Sequence, residues 1–121
     1  MILDTNIVIA ALKAEPRTVA FLTQQRREGK SLIIPAIVVA ETLSFPKLSE
    51  NEVEIVSAFL KTFPSIPFDN NVAHITASFR RRYGLEIPDA GIAATAFIMK
   101  LPLLTRDRSF LKVKEISIVN I

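Results

Sequence analysis

The chain of 121 residues contains no cysteine, which removes disulfide frameworks, thiolate zinc sites and cysteine nucleophiles together. It contains one histidine, His74, so a ribonuclease built on a paired histidine acid and base is excluded by inventory. His74 falls off the apolar stripe of its helix and is expected at the solvated surface. Aromatic residues make up 7% of the chain and most phenylalanines fall on helix stripes, so no base-stacking platform is evident. The uncharged run between Asp89 and Lys100 is too short to span a bilayer, and none is longer. The first residues, Met-Ile-Leu-Asp, have neither the basic start nor the long apolar stretch of a signal peptide. Half of the residues are hydrophobic and 22% are charged, which argues against disorder. No repeat, linker or low-complexity segment interrupts the pattern. The expectation is a single domain over residues 1–121, soluble and cytoplasmic, with no membrane partner.

Against these absences stand four acids at the edges of the most apolar segments. They are Asp4 in Ile-Leu-Asp-Thr-Asn, Glu41 in Val-Val-Ala-Glu, Asp89 in Ile-Pro-Asp-Ala and Asp107 in Leu-Leu-Thr-Arg-Asp. An ionised carboxylate beside buried apolar surface is costly unless it has a partner. Each has a local alternative. Asp4 could cap the following helix, although Thr5 and Asn6 would serve as well. Glu41 could lie on a narrow polar edge, Asp89 could answer a helix dipole, and Asp107 could be a turn residue paired with Arg106 or Arg108. Four independent accidents are a poorer account than one shared partner, and a divalent cation is the simplest. Hard oxygen ligands suit Mg2+ or Mn2+, which take one or two carboxylates and keep waters for a phosphate substrate.

The order of elements supports this. Ile2 to Asp4 reads as a buried strand passing into a helix over Ile7 to Lys13, and Pro16 opens a second helix that Gly29 closes. Leu32 to Ile34 reads as a strand, and Pro35 starts an apolar helix through Leu43 that Pro46 ends. Ser49 with Glu52 makes a capping box ahead of a stripe of Val53, Val56, Phe59, Leu60 and Phe63. Ile66 to Phe68 is a third strand; Val72, Ile75, Thr76, Phe79 and Tyr83 line the next helix, which Gly84 terminates. Pro88 opens the helix from Asp89 to Met99, where a residue bulkier than Gly91 would also fit. Leu103 to Thr105 and Ile116 to Val119 complete the strands. Short apolar strands alternating with helices predict an α/β domain with a parallel sheet covered on both faces. Ligands collect at the carboxyl ends of such strands, where Asp4 and Asp107 fall.

The formal net charge is +3, and with the four acids gathered in one site the remaining surface carries eight acids against 15 Lys and Arg, a balance of +7. An acidic cleft on a basic body suits a polyanion that must reach a metal. Arg106 and Arg108 bracket Asp107 and are placed to hold flanking phosphates. The triplet Arg80-Arg81-Arg82 lies along a helix, either solvated or against a partner.

These four motifs, together with the runs Ile-Pro-Asp-Ala-Gly-Ile-Ala-Ala-Thr-Ala and Leu-Leu-Thr-Arg-Asp-Arg-Ser-Phe, resemble the PIN-domain nucleases, and most nearly the short VapC-like toxins of prokaryotic toxin–antitoxin pairs. The resemblance covers essentially the whole chain. It implies a PIN-like three-layer α/β/α sandwich with a short, mostly parallel central sheet of four to five strands. It also implies a Mg2+- or Mn2+-dependent site at which Asp4, Glu41, Asp89 and Asp107 bind metal and catalyse RNA hydrolysis. Asn6 and Thr105 match polar positions that flank that site and would orient ligands or substrate. The implied partners are RNA, a cognate antitoxin and a second copy of the chain in a homodimer. Alternatives within the fold are a nuclease of RNA processing and an interaction module that no longer turns over substrate. A phosphorelay receiver domain needs a lysine after a late strand, where this chain reads Thr105-Arg106-Asp107.

Overall fold

The computed structural model describes residues 1–121. Five strands, each of two residues, run parallel in the order β3-β2-β1-β4-β5. Here β1 is Ile2–Leu3, β2 Ile34–Pro35, β3 Ser65–Ile66, β4 Leu103–Leu104 and β5 Ile118–Val119. The β2–β3 pair joins the β1-β4-β5 sheet through a bridge from Ile2 to Ile33. Both residues of β1 and of β4 are fully buried, as strands covered on two faces must be.

Six α-helices connect the strands: α1 (Thr5–Leu12), α2 (Pro16–Arg27), α3 (Ala36–Leu43), α4 (Glu50–Leu60), α5 (Asn70–Tyr83) and α6 (Ile87–Met99). The capping box of Ser49 and Glu52 forms on α4, Asp69 caps α5 through the Val72 N–H at 3.0 Å, and Gly84 ends α5 in the left-handed region at φ 69°. At that φ a side chain would be strained, so glycine is the favoured residue. Helix α6 crosses β1 and β2, pairs along its length with α5 and meets α3, which also packs on α1 and α4. Its residues Ala90 to Ala96 are all buried, which explains a sequence with almost no polar face. Parallel strands joined by helices through crossovers leave every strand's carboxyl end on one edge of the sheet.

The structure shifts several boundaries. Helix α1 begins at Thr5 rather than Ile7 because Asp4 itself is the cap. The second strand moves one residue on, so that Pro35 sits in it and caps α3. The strand expected over Ile66 to Phe68 is Ser65–Ile66, leaving Phe68 outside the sheet and 43% exposed. The stripe on α4 is only partly a core face: Leu60 and Phe63 are buried, whereas Val53 is exposed and Ile55 beside it is 59% exposed. Gly91 has less room than its apolar surroundings suggested, because a Cβ there would lie 3.1 Å from Phe68 Cε2 and 3.5 Å from Ile37 Cδ1. A 3-10 helix over Arg108–Lys112, capped by Asp107, was not expected. His74 is exposed, as its place off the stripe implied.

Candidate active site

Asp4 follows β1, Asp89 opens α6, Glu41 lies on the last turn of α3 and Asp107 follows β4. Asp4 is the most enclosed, at 4% exposure. Its Oδ1 accepts the Thr5 N–H at 2.7 Å, and its Oδ2 accepts the Thr105 hydroxyl at 2.6 Å and the Asn6 amide at 3.1 Å. Asp4 is therefore both the cap of α1 and the centre of a polar cage. Thr105, itself buried, receives the Asp107 N–H on the same oxygen at 2.9 Å, with the Asn6 amide at 3.4 Å. A single hydroxyl thus couples two of the acids. The Asp107 carboxylate accepts the Ser109 N–H at 2.9 Å and holds the 3-10 helix behind it.

Glu41 is tied in by a residue that sequence reasoning treated only as a possible cap. The Thr5 hydroxyl donates to Glu41 Oε1 at 2.7 Å, across 36 residues of sequence. Thr5 thus links α3 to the chain end of β1, and no local periodicity announces such a contact.

Electrostatics bind the four acids into one unit. Burial raises the Asp4 pKa; bonds from Thr105 and Thr5 oppose the rise, and Asp107 and Glu41 add to it. Asp89 is pushed up to about 6, first by burial and then by repulsion from Asp4, Asp107, Glu41 and Glu86. No lysine or arginine forms an ion pair with any of the four acids. Acids that repel one another with no basic side chain between them suit a cation as the missing counter-charge. The structure does not bring three or more of the acidic side chains together closely enough to hold a metal ion among them. That openness is compatible with Mg2+, which uses one or two direct carboxylates and keeps several waters. The all-oxygen donor set fits the same ion.

The two arginines beside Asp107 diverge. Arg108 is exposed at the start of the 3-10 helix. The Arg106 guanidinium is engaged by Glu15 and Thr18 of α2, while its backbone N–H meets Asn6 Oδ1 at 3.4 Å. In the Arg80 triplet, Arg80 braces the α5–α6 turn through the Leu85 carbonyl at 3.0 Å and Glu86, and Arg82 pairs with Glu115. Arg81 is exposed.

An acid-lined edge of a five-stranded parallel α/β sheet defines the class, and residues 1–116 match the PIN domain: the chain belongs to the PIN-domain family. Among its relatives is Ribonuclease VapC19 of Mycobacterium tuberculosis (strain CDC 1551 / Oshkosh), 28% identical over 109 residues that cover 86% of each protein. Among solved structures it is similar to a chain of VapBC2 from Rickettsia felis bound to a DNA fragment from their promoter. The TM-score is 0.85 at 22% identity, over 99% of this chain and 97% of that one, a likeness of fold. It is also similar to a chain of FitAcB from Neisseria gonorrhoeae, with a TM-score of 0.75 and 29% identity over 98% and 96% of the two chains. No helix is long and apolar enough to cross a membrane.

Proposed function

We propose that this chain is a Mg2+-dependent endoribonuclease, with Mn2+ able to substitute, acting in the cytoplasm as the toxin of a type II toxin–antitoxin pair. The observation that carries this reading is Asp4, buried and caged by Thr5, Asn6 and Thr105, in mutual repulsion with Glu41 and Asp107 and without a basic neighbour. The family membership and the ribonuclease name of the mycobacterial relative point the same way.

Asp4, Glu41, Asp89 and Asp107 would hold the metal. A bound divalent cation neutralises a phosphodiester and lowers the pKa of an attacking water. The chain's own residues supply orientation. Thr105 and Asn6 fix the Asp4 carboxylate, and Thr5 fixes Glu41. Arg108 at the exposed start of the 3-10 helix is positioned to meet a flanking phosphate.

The partners follow from the surface. Phe45 is 50% exposed just past α3, and Val53 and Ile55 are exposed on α4. Between these helices a groove of about 310 Å³ is lined by Val39, Leu43, Leu60 and Phe63. An antitoxin segment with apolar side chains for this groove and a basic group for the acidic edge would cover both. Phe68, packed near Gly91 of α6, and Ile87 at the start of that helix are also exposed and would suit a homodimer contact. The test of the activity is direct. Purified chain should cleave single-stranded RNA with Mg2+ or Mn2+ and stop on addition of EDTA. Undiminished cleavage in EDTA by protein free of contaminating nuclease would overturn the mechanism.

A further inference from the structure

Helix α2 carries none of the four acids, yet its N-cap residue Glu15 and Thr18 in its first turn grip the segment that carries Asp107. Arg106 stands between Thr105 and Asp107. Its Nη1 donates to Glu15 Oε2 at 3.0 Å, and its Nη2 donates to Glu15 Oε1 and to Thr18 Oγ1, the latter at 2.7 Å. The Thr18 hydroxyl in turn donates to Glu15 Oε1 at 3.0 Å, and Thr18 is fully buried. We propose that this Glu15–Arg106–Thr18 cluster is a positioning device for the site, a role that rests on the ribonuclease reading above. Neither Glu15 nor Thr18 touches the acids.

The need for such a device follows from the brevity of β4. The ladder ends at Leu104, and the last backbone bond it shares with β5 runs from the Thr105 N–H to the Val119 carbonyl at 3.1 Å. Beyond that bond the chain must still hold Thr105 Oγ1 on Asp4 at 2.6 Å and the Asp107 N–H on Thr105 at 2.9 Å. Arg106 sits between those two anchors. A guanidinium forked onto a carboxylate has one preferred plane, which a lysine cannot reproduce. With side chains about one-third exposed on both sides, the pair contributes little to global stability. Its effect is on placement, and a misplacement of about 1 Å at reacting groups costs up to about a hundredfold in rate. The same geometry commits three of the five guanidinium N–H donors of Arg106 to Glu15 and Thr18, in competition with the phosphate-binding role that its sequence position invites.

A double-mutant cycle separates the two roles. Glu15→Gln, Arg106→Gln and the double variant are compared for kcat, for KM, for affinity toward RNA in EDTA, where no cleavage is expected, and for the Mn2+ concentration that gives half of the thermal upshift. The expected result is a kcat loss of about tenfold in each single variant and no further loss in the double, since the residues act as a unit. RNA affinity should change less than about twofold, melting temperatures should move little, and Arg106→Lys should fail to rescue. A Glu15→Gln variant with unchanged kcat, or one that binds RNA more tightly while Arg106→Gln binds it less, makes Arg106 a phosphate contact and overturns the proposal. Losses that track melting temperature make the cluster merely structural and overturn it as well. If the wild type cleaves no RNA, the ribonuclease reading fails by itself. The Mn2+ midpoint then decides: an equal several-fold shift in both single variants with none added in the double sustains the positioning role, and no shift overturns it.

Discussion

Asp89→Asn removes one charge from the acidic edge while keeping the shape of the side chain. The N-terminus of α6 favours an anion by about 0.3–1 kcal/mol. Burial and four neighbouring acids outweigh that attraction, since the Asp89 pKa rises from 3.8 to about 6. At 1.36 kcal/mol per unit the rise spans about 3 kcal/mol, which solvent screening at this partly open position reduces to about 1 kcal/mol. The sign follows from proton binding. The native state holds the Asp89 proton to higher pH than the unfolded chain does, so its contribution to stability is present below about pH 4 and lost as pH rises through about 6. The asparagine variant has no such loss. In EDTA it should melt about as wild type does near pH 4, and about 4 °C higher near pH 7.5. Mg2+ should then reverse the order. At one hundred times its dissociation constant it stabilises the wild type by about 2.7 kcal/mol, while the variant, short of one ligand, gains less. RNA cleavage by the variant should fall by orders of magnitude. An Asn variant that melts below wild type in EDTA near pH 7.5, with activity following the folded fraction, would refute the argument and leave Asp89 as a dipole partner of its helix.

Three further outcomes are expected. Thr105→Val strips Asp4 of its 2.6 Å donor and the Asp107 N–H of its acceptor; it should cost about 1.5–3 kcal/mol by urea unfolding, whereas Thr105→Ser should keep most activity. Gly91→Ala should stay within about 0.5 kcal/mol of wild type, because the helix-propensity gain offsets a small shift of the exposed Phe68 ring. Gly91→Leu should lose about 1–3 kcal/mol as Ile37 closes the other side, and equal melting curves for the two would contradict the packing. A dimer should appear by light scattering at micromolar concentration and weaken in Phe68→Ser, and a monomer at high micromolar concentration would exclude the self-association.

The order of elements was legible because apolar runs, prolines and caps mark it locally: Pro16, the Ser49–Glu52 box and the Gly84 stop are all where the pattern placed them. Boundaries slipped where one residue served two purposes. Asp4 is at once a cap and a site acid, so treating Thr5 and Asn6 as the better caps moved the start of α1 too late. Asp4 and Asp107 stood out because a carboxylate after a buried strand is conspicuous, and in the structure they repel Asp89, as Glu41 does. Thr5 on Glu41, and Glu15 on Arg106, were not legible. They join residues 36 and 91 positions apart through side chains that carry no periodic signal. The exposure of Val53 escaped for a related reason, since a helix stripe records which side chains are apolar and not how far the core extends beneath them.

The sheet places the first strand at its centre, bonded to β4 on one side and bridged to Ile33 on the other. The Asp4–Thr105 contact therefore joins groups 101 residues apart. At about 5–20 residues per second of synthesis, roughly 5–20 s separate the emergence of the two. Throughout that interval β1 has only the β2 side to pair with, and Asp4 lacks the hydroxyl that aims it. Long-range pairing of this kind is also slow to form after release. The cage around Asp4 is therefore completed late in synthesis, only when the segment that carries Thr105 comes back to β1.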